Sequence, residues 1–488
     1  GSVIAKFSLA DKTLRISGSG EMKDWKYNGK CDWHDSEYTN LIENVIIENG
    51  ITSIGESAFK GCSSLERIEI PSGVTSIGDR VFSSCSSLER IEIPSSVTSI
   101  GVQAFYGCSS LVKIEISSSV TYIGELAFSG CSSLISININ EDNNEYVSEE
   151  GVLFNKNKTK LIKYPCKKQS TKEYSISNSV TSIDGYAFSG CSSLVKIEIP
   201  SSVTSIGDRA FYGCSSLENI EIPSSVTSIG WQTFKECSSL VNIKIPSGVT
   251  SIDQQAFDEC SSLERIEIPN SVTSIRYSAF SGCSSLVNIE IPSSVTWIDN
   301  YAFHGCNSLK RIEIPSSVTS IGEYAFSGCS SLERIEIPSS VTSIKYMAFY
   351  GCSSLENIEI PSSVTSIDAY AFSRCSSLVN IEIPSSVTSI DRYAFRGCSS
   401  LENIEIPSSV TSIGSEAFRG CSSLKNIKIL NNVTNIENSA IPKNTVIYTK
   451  SNMEGHRYAE EGEQGYIIDD EGPKVTFLPE KGDNKQKK

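Results

Sequence analysis

A 23-residue period runs through this chain and limits its folding more than any other property. Cys62, Cys85, Cys108 and Cys131 stand 23 residues apart, and the step resumes at Cys191. From there it passes through Cys214, Cys237, Cys260, Cys283, Cys306, Cys329, Cys352, Cys375 and Cys398 to Cys421. The surrounding phrase barely changes: Ile93-Pro94-Ser95-Ser96-Val97-Thr98-Ser99-Ile100, then Ala104-Phe105 and Cys108. Such a period marks stacked units that each touch only their neighbours. With 488 residues the chain also exceeds what one growing core holds.

One coil reads as follows. Ile335 and Ile337 alternate with Arg334 and Glu336, the period of two expected of a strand with one buried face. Pro338 ends it, having no N–H for a sheet ladder. Val341 and Ile344 then turn inward from an extended stretch, and Ala348, Phe349 and Cys352 carry the spacing of a short helical turn. Leu355 begins the next strand. The expected fold is therefore an α/β solenoid. It has one long parallel sheet on its concave side, with extended segments and short helical turns on the convex side. A lone coil buries too little to offset its own ordering, so stability belongs to the stack.

The strand-end isoleucines step by 23 from Ile47 to Ile139, skip 37 to Ile176, and step by 23 again to Ile429, giving 17 coils. At about 4.8 Å per strand such a sheet would extend roughly 80 Å. The expected domains are an N-terminal cap at 1–44, holding Trp25 and Trp33, the solenoid at 45–441, and a C-terminal cap at 442–468. Residues 469–488 read as a linker or the start of a truncated further domain. Near 140–175, Val152-Leu153-Phe154 and Leu161-Ile162-Lys163-Tyr164 flank a polar turn, so a hairpin is expected in place of that coil's helical turn.

Composition excludes several partners. A net charge of −15 repels phosphate backbones, so no nucleic acid is expected. No apolar run reaches 18 residues, so no membrane insertion is expected within the chain. Gly1-Ser2 ahead of Val3 reads as a cloning remnant, with a signal peptide presumed removed.

The phrase from Ile314 to Leu332, IPSSVTSIGEYAFSGCSSL, resembles the BspA-like leucine-rich-repeat surface proteins, and the likeness covers residues 45–441 nearly continuously. ISGSGEM (Ile16 to Met22) and GVLFNKNKTKLIKYP (Gly151 to Pro165) look like elements of the same proteins, although Cys166 stands where a small residue is expected. The resemblance implies a leucine-rich-repeat fold and a secreted or surface-exposed protein, several such proteins being regarded as adhesins for host or matrix proteins. It carries over no catalytic residues. DEGPKVTFLPEKGD (Asp470 to Asp483) looks like the entry to an immunoglobulin-like stalk.

Three residue sets are candidates for function. The fifteen ladder cysteines could bind metal or pair between coils. Against that, each reads as a small buried apolar residue, since metal-type spacings are missing. Cys31 and Cys166, off the ladder, are the more reactive pair in this reading. Second is a glutamate row on the concave face: Glu69, Glu92 and Glu115, then Glu198, Glu221, Glu267, Glu290, Glu313, Glu336, Glu359, Glu382 and Glu405. Arg265, Arg311 and Arg334, with asparagines such as Asn288 and Asn380, stand two residues earlier on the same face. Mutual neutralisation is the plain explanation, and a face for a basic or repetitive ligand the sharper one. Third are the variable residues before Ala-Phe on the convex side, where Tyr186, Tyr301, Tyr324, Tyr370 and Tyr393 recur beside Trp231 and Trp297. Weak constraint explains the variation, and tyrosines also suit contact surfaces.

Catalytic motifs are missing, and His34, His304 and His456 lie far apart in sequence. Asn140 to Glu145 could hold calcium, although a solvated loop accounts for it as well. No cofactor or metal is expected. The chain reads as a non-enzymatic, monomeric, extracellular binding module, surface-attached or secreted, whose partner is a host or matrix protein or a glycan. The alternative is a structural spacer that displays another domain, which near-identical coils favour.

Overall fold

Alternation of inward and outward side chains makes each Arg/Asn-Ile-Glu stretch a strand covered on one face. In the computed structural model, which describes residues 3–25, 38–168, 172–429, 433–451, 453–462, 464–468 and 474–476, most of these strands are three residues long. Arg90–Glu92 and Arg334–Glu336 are examples, with the central isoleucine buried and both neighbours exposed. The chain divides into two compact units, Gly1–Leu240 and Val241–Lys488.

In the first unit, Arg90–Glu92, Lys113–Ile116 and Ser136–Ile139 pair in parallel, so that Ile91, Ile114 and Ile137 stand side by side. In the second, seven strands from Asn242–Lys244 to Asn380–Glu382 do the same. The extended stretch of each coil is more ordered than its sequence implied. Ser76–Ile77, Ser99–Ile100 and Tyr122–Ile123 form a second parallel ladder, as do Ser343–Ile344 through Asn435–Ile436 in the second unit.

The Ala-Phe-x-x-Cys segment is a run of turns, not a helix. The Cys108 N–H closes onto Phe105 O at 3.2 Å, yet the Gln103, Phe105 and Gly107 N–H groups leave the coil for Glu125, Ala127 and Ser129 carbonyls at 2.8–2.9 Å. A helix needs every N–H directed along its own chain. Sending alternate groups outward instead requires a left-handed residue before each Ala-Phe, as at Gln103 (φ 56°) and Tyr324 (φ 55°). Non-glycine residues adopt that conformation at a cost.

The core is a set of columns, one residue per coil. Phe82, Phe105 and Phe128 stack at 5.2 and 5.7 Å, and Phe303, Phe326 and Phe349 at 5.4 and 5.6 Å. The ladder cysteines are buried beside them. A hydrogen bond to the preceding coil fixes most of the thiols: Cys108 Sγ donates to Phe82 O at 3.1 Å, and Cys329 Sγ to Phe303 O at 3.2 Å.

The 14-residue excess falls earlier in its coil than the sequence suggested. Tyr146–Glu149 and Val152–Asn155 form an antiparallel pair, and Lys160–Lys163 follows as a third strand. That third strand pairs in parallel with Ser182–Ile183, so it continues the second ladder. Tyr164 then occupies the phenylalanine position, 5.2 Å from Phe188 and nearly parallel to it. The insertion thus replaces the Pro-Ser-Ser-Val link, and the turn survives because neighbouring coils bond to it.

At the N-terminal side, Val3–Ser8 and Thr13–Gly18 form a hairpin whose second strand pairs with Asn44–Ile47. In the second unit, Val446–Thr449 and Tyr466–Ile468 extend the sheet around a helix, Glu454–Glu461. Trp33, Cys31 and His34, and all of 469–488 except Lys474–Thr476, lie outside the described residues. Among the described residues, no helix is long and apolar enough to cross a membrane.

Candidate functional site

The glutamate that ends each Arg/Asn-Ile-Glu strand faces solvent because the isoleucines on either side of it turn inward. Parallel pairing in register then places the carboxylates side by side. Glu92 stands beside Glu115 in the first unit, which also carries Glu198 and Glu221 at this position. In the second unit Glu267, Glu290, Glu313, Glu336, Glu359 and Glu382 follow without a break. Glu405 holds the same place in Asn403–Ile406, paired at 3.1 Å with Lys428 of the next strand.

Like charges on adjacent strands repel. Cations two residues earlier relieve part of this: Lys113 meets Glu115 at 2.6 Å, Lys196 meets Glu198 at 2.7 Å, and Arg334 meets Glu336 at 2.8 Å. Hydrogen bonds from Lys113 and Lys196 hold the Glu115 and Glu198 carboxyls below the usual range. Arg265 is in register with Asn288, and Arg311 with Arg334. From Asn357 onward the flanking row is all amide, with Asn426 Nδ2 donating to Asn403 Oδ1 at 3.0 Å. There Glu382, Glu405, Lys428 and Tyr448 line a shallow groove with Ile383 and Pro384.

The tyrosines before Ala-Phe divide by unit. In the second unit Tyr301 stacks on Tyr324 at 4.4 Å and Tyr370 on Tyr393 at 4.5 Å. Tyr277 and Tyr346, which the sequence did not single out, complete the column at 5.4–5.9 Å from their neighbours. They stand one residue earlier in their coils than the other four, which hid them from a position-by-position reading. Trp297 does not join: it belongs to the second ladder, in register with Ser320, and is half exposed. In the first unit Tyr186 and Trp231 flank Arg209, whose guanidinium lies 3.9 Å over the Trp231 ring and donates to the Tyr186 hydroxyl.

Fourteen ladder thiols are free and buried, while Cys191 is joined to Cys166 by a disulfide. Burial pushes the Cys62, Cys131, Cys214, Cys329 and Cys375 thiols up to about 12, far from the thiolate that nucleophilic or metal chemistry needs. Among the described residues, no group of three His, Cys, Asp or Glu side chains could hold a metal. Asn143, in the loop weighed for calcium, is fully buried, its amide donating to Ser117 O and Val120 O at 2.9 Å. His304 lies against Tyr301, and His456 against Tyr466.

Lys163 is a second residue the sequence concealed. It takes the alanine position of the inserted coil, and its buried ammonium donates to Tyr186 O at 3.0 Å and Ser189 O at 3.5 Å. A crevice of about 280 Å³ opens beside it, with Tyr146, Lys160 and Asp184 among its walls. Aligning Tyr164 with the phenylalanines would have exposed the anomaly.

Residues 37–158, 159–287, 250–353 and 342–454 match the family described as BspA type leucine rich repeat region, with six copies. A leucine-rich repeat protein from Eubacterium ventriosum is 32% identical, covering 67% of this chain and 92% of its own, with a TM-score of 0.59. A leucine rich cell surface protein from Faecalibacterium prausnitzii is also 32% identical, covering 59% of this chain and 93% of its own, at a TM-score of 0.43. A Bacteroides ovatus leucine-rich repeat protein is 27% identical, covering 92% and 98%, at 0.48. No curated protein matches the chain.

Proposed function

This chain belongs to the BspA type leucine rich repeat family, and on that premise we propose that it is a non-enzymatic binding module of the cell surface or extracellular space. Its strand face recognises a host or matrix protein or a glycan. One observation carries this reading. Seven glutamates from Glu267 to Glu405 occupy one outward row in the second unit, at a spacing where they repel. A face selected for solubility alone would alternate its signs. A face that keeps one sign over seven successive coils, with Lys244 and Lys428 at its two ends, concentrates potential along a line, which favours encounter with a complementary partner.

The test replaces Glu336, Glu359 and Glu382 together by lysine and measures binding to an array of matrix proteins and glycans. We expect every ligand of the native chain to bind at least about tenfold more weakly. Undiminished binding by this variant, and equally by one lacking the tyrosine column, leaves the spacer reading in its place. That second reading draws on the uniformity of the coils, since identical faces encode little specificity.

A further inference from the structure

The tyrosine column of the second unit rises from the turn position that is left-handed in every uninterrupted coil, whichever residue fills it. Tyr301, Tyr324, Tyr370 and Tyr393 all lie in the left-handed region, at φ of 55–60°, where glycine or asparagine would be easier. The six rings form an unbroken surface line, each 4.4–5.9 Å from the next. Tyr301 and Tyr324 are within 10° of parallel, and Tyr370 and Tyr393 within 19°, so each pair covers its own facing ring surfaces. Burial, then hydroxyl contact with Tyr346 and Tyr301, pushes the Tyr324 phenol upward, and burial does the same at Tyr370. Both remain hydrogen-bond donors at neutral pH. Beside the column, Glu323, Asp368, Asp391 and Glu437 line a hollow with Tyr346, with Arg392 as the one cation among them.

A partner fitting this surface is extended, apolar along its flank, rich in acceptors and positively charged at one point. Proline-rich chain has these properties. Its polyproline II helix leaves every carbonyl without an internal partner, and proline brings no N–H to be stranded on a donor-lined surface. Three residues per turn at about 3.1 Å give an advance of roughly 9.3 Å. Two coils at about 4.8 Å give a similar advance, so successive turns meet successive rings of the line. A sugar would need open ring faces, which the stacked pairs do not offer. We infer that the tyrosine column binds a proline-rich segment in polyproline II form, with an arginine or lysine of that segment seated between Glu323, Asp368 and Asp391. This rests on the binding-module reading but uses a different face, so the two can fail separately.

The test titrates a fluorescent oligoproline ending in arginine against the whole chain and follows anisotropy. Native protein should bind it saturably, and better than the same oligoproline without arginine. Tyr324→Ala with Tyr370→Ala should weaken binding at least about tenfold. Tyr324→Phe with Tyr370→Phe, which keeps the rings and the fold, should lose several-fold through the hydroxyls alone. Asp368→Asn with Asp391→Asn should erase the preference for arginine. The strand-face lysine triple should bind oligoproline like the native chain. Absence of saturable binding by the native protein overturns the inference, as does an alanine pair that binds normally. Loss of binding in the lysine triple alone also overturns it, by placing the site on the other face.

Discussion

In the coil around Phe105, three turn N–H groups reach carbonyls of the following coil. In the interrupted coil, among the described residues, the Tyr164 N–H alone makes such a bond, to Ala187 O at 2.9 Å, and Lys163 supplies another donor from its side chain to Ser189 O. The regular coil saturates its neighbour with backbone, and the irregular one with backbone plus a buried ammonium. Two of the three carbonyls that a regular turn meets, Ala187 O and Ser189 O, thus keep a donor, supplied by different groups. A lysine serves where the chain is short, and the cavity beside it shows that the substitution fills the bond better than the volume.

Truncating the two aromatic positions tests this contrast most severely. Phe105→Ala removes a ring stacked on both sides and should cost about 4 kcal/mol in urea unfolding. Tyr164→Ala should cost a similar amount, since Tyr174 at 4.7 Å and Phe188 both lose their partner. A loss at Tyr164 below about 1 kcal/mol would show the irregular coil to be loosely packed.

The ammonium gives a slightly smaller, pH-dependent effect. Burial brings Lys163 down to about 8 from 10.5, so the unfolded chain holds that proton more firmly than the folded one. Its contribution to stability is lowest below pH 8 and rises as pH climbs from 8 to 10.5. The thiols act oppositely. Cys131 and Cys214, pushed from 9.0 up to about 12, contribute fully below pH 9 and lose that contribution towards pH 12. Comparing the native chain with Lys163→Met removes the thiol contribution except for its coupling to the ammonium. The difference should grow by roughly 3 kcal/mol between pH 8 and 10.5 in equilibrium denaturation. A flat difference would mean that the ammonium reaches water.

The smallest effect is expected at a regular cysteine. Cys108→Ala deletes one S–H···O bond and a small volume, and should lower stability by about 1 kcal/mol, equally with and without reductant. Dependence on reductant would mean that ladder thiols pair in solution.

The period of 23 and the inside-outside alternation made the solenoid readable, because Ile335, Val341, Phe349 and Cys352 each answer to local spacing. The second ladder did not show itself. Ser343–Ile344 is two residues long, and its order comes from coils 23 residues away. Ala348, Phe349 and Cys352 satisfy helical spacing, whereas the outward N–H bonds that rule a helix out have no local signature. The strand-face row was legible down to the residue. The tyrosine column was legible in part: Tyr301 and Tyr324 recur at one register, while Tyr277 and Tyr346 reach the same line from a different one. Cys166 drew attention as an odd thiol, but its partner depends on how an irregular turn meets the coil above.

The turn N–H groups of Gln103 and Phe105 point towards the C-terminal side, whereas the Thr98 and Thr121 N–H groups point back to Thr75 and Thr98 carbonyls. Every coil thus has polarity, with a fixed pattern of donors and acceptors on one flat side and its complement on the other. Any cleavage that strips a terminal element would uncover a surface matching the opposite end of another trimmed molecule. The hairpin Val3–Ser8 with Thr13–Gly18, and the helix Glu454–Glu461, accordingly do more than finish the fold. The hairpin already occupies the ladder groups that Asn44–Ile47 would otherwise present to another chain.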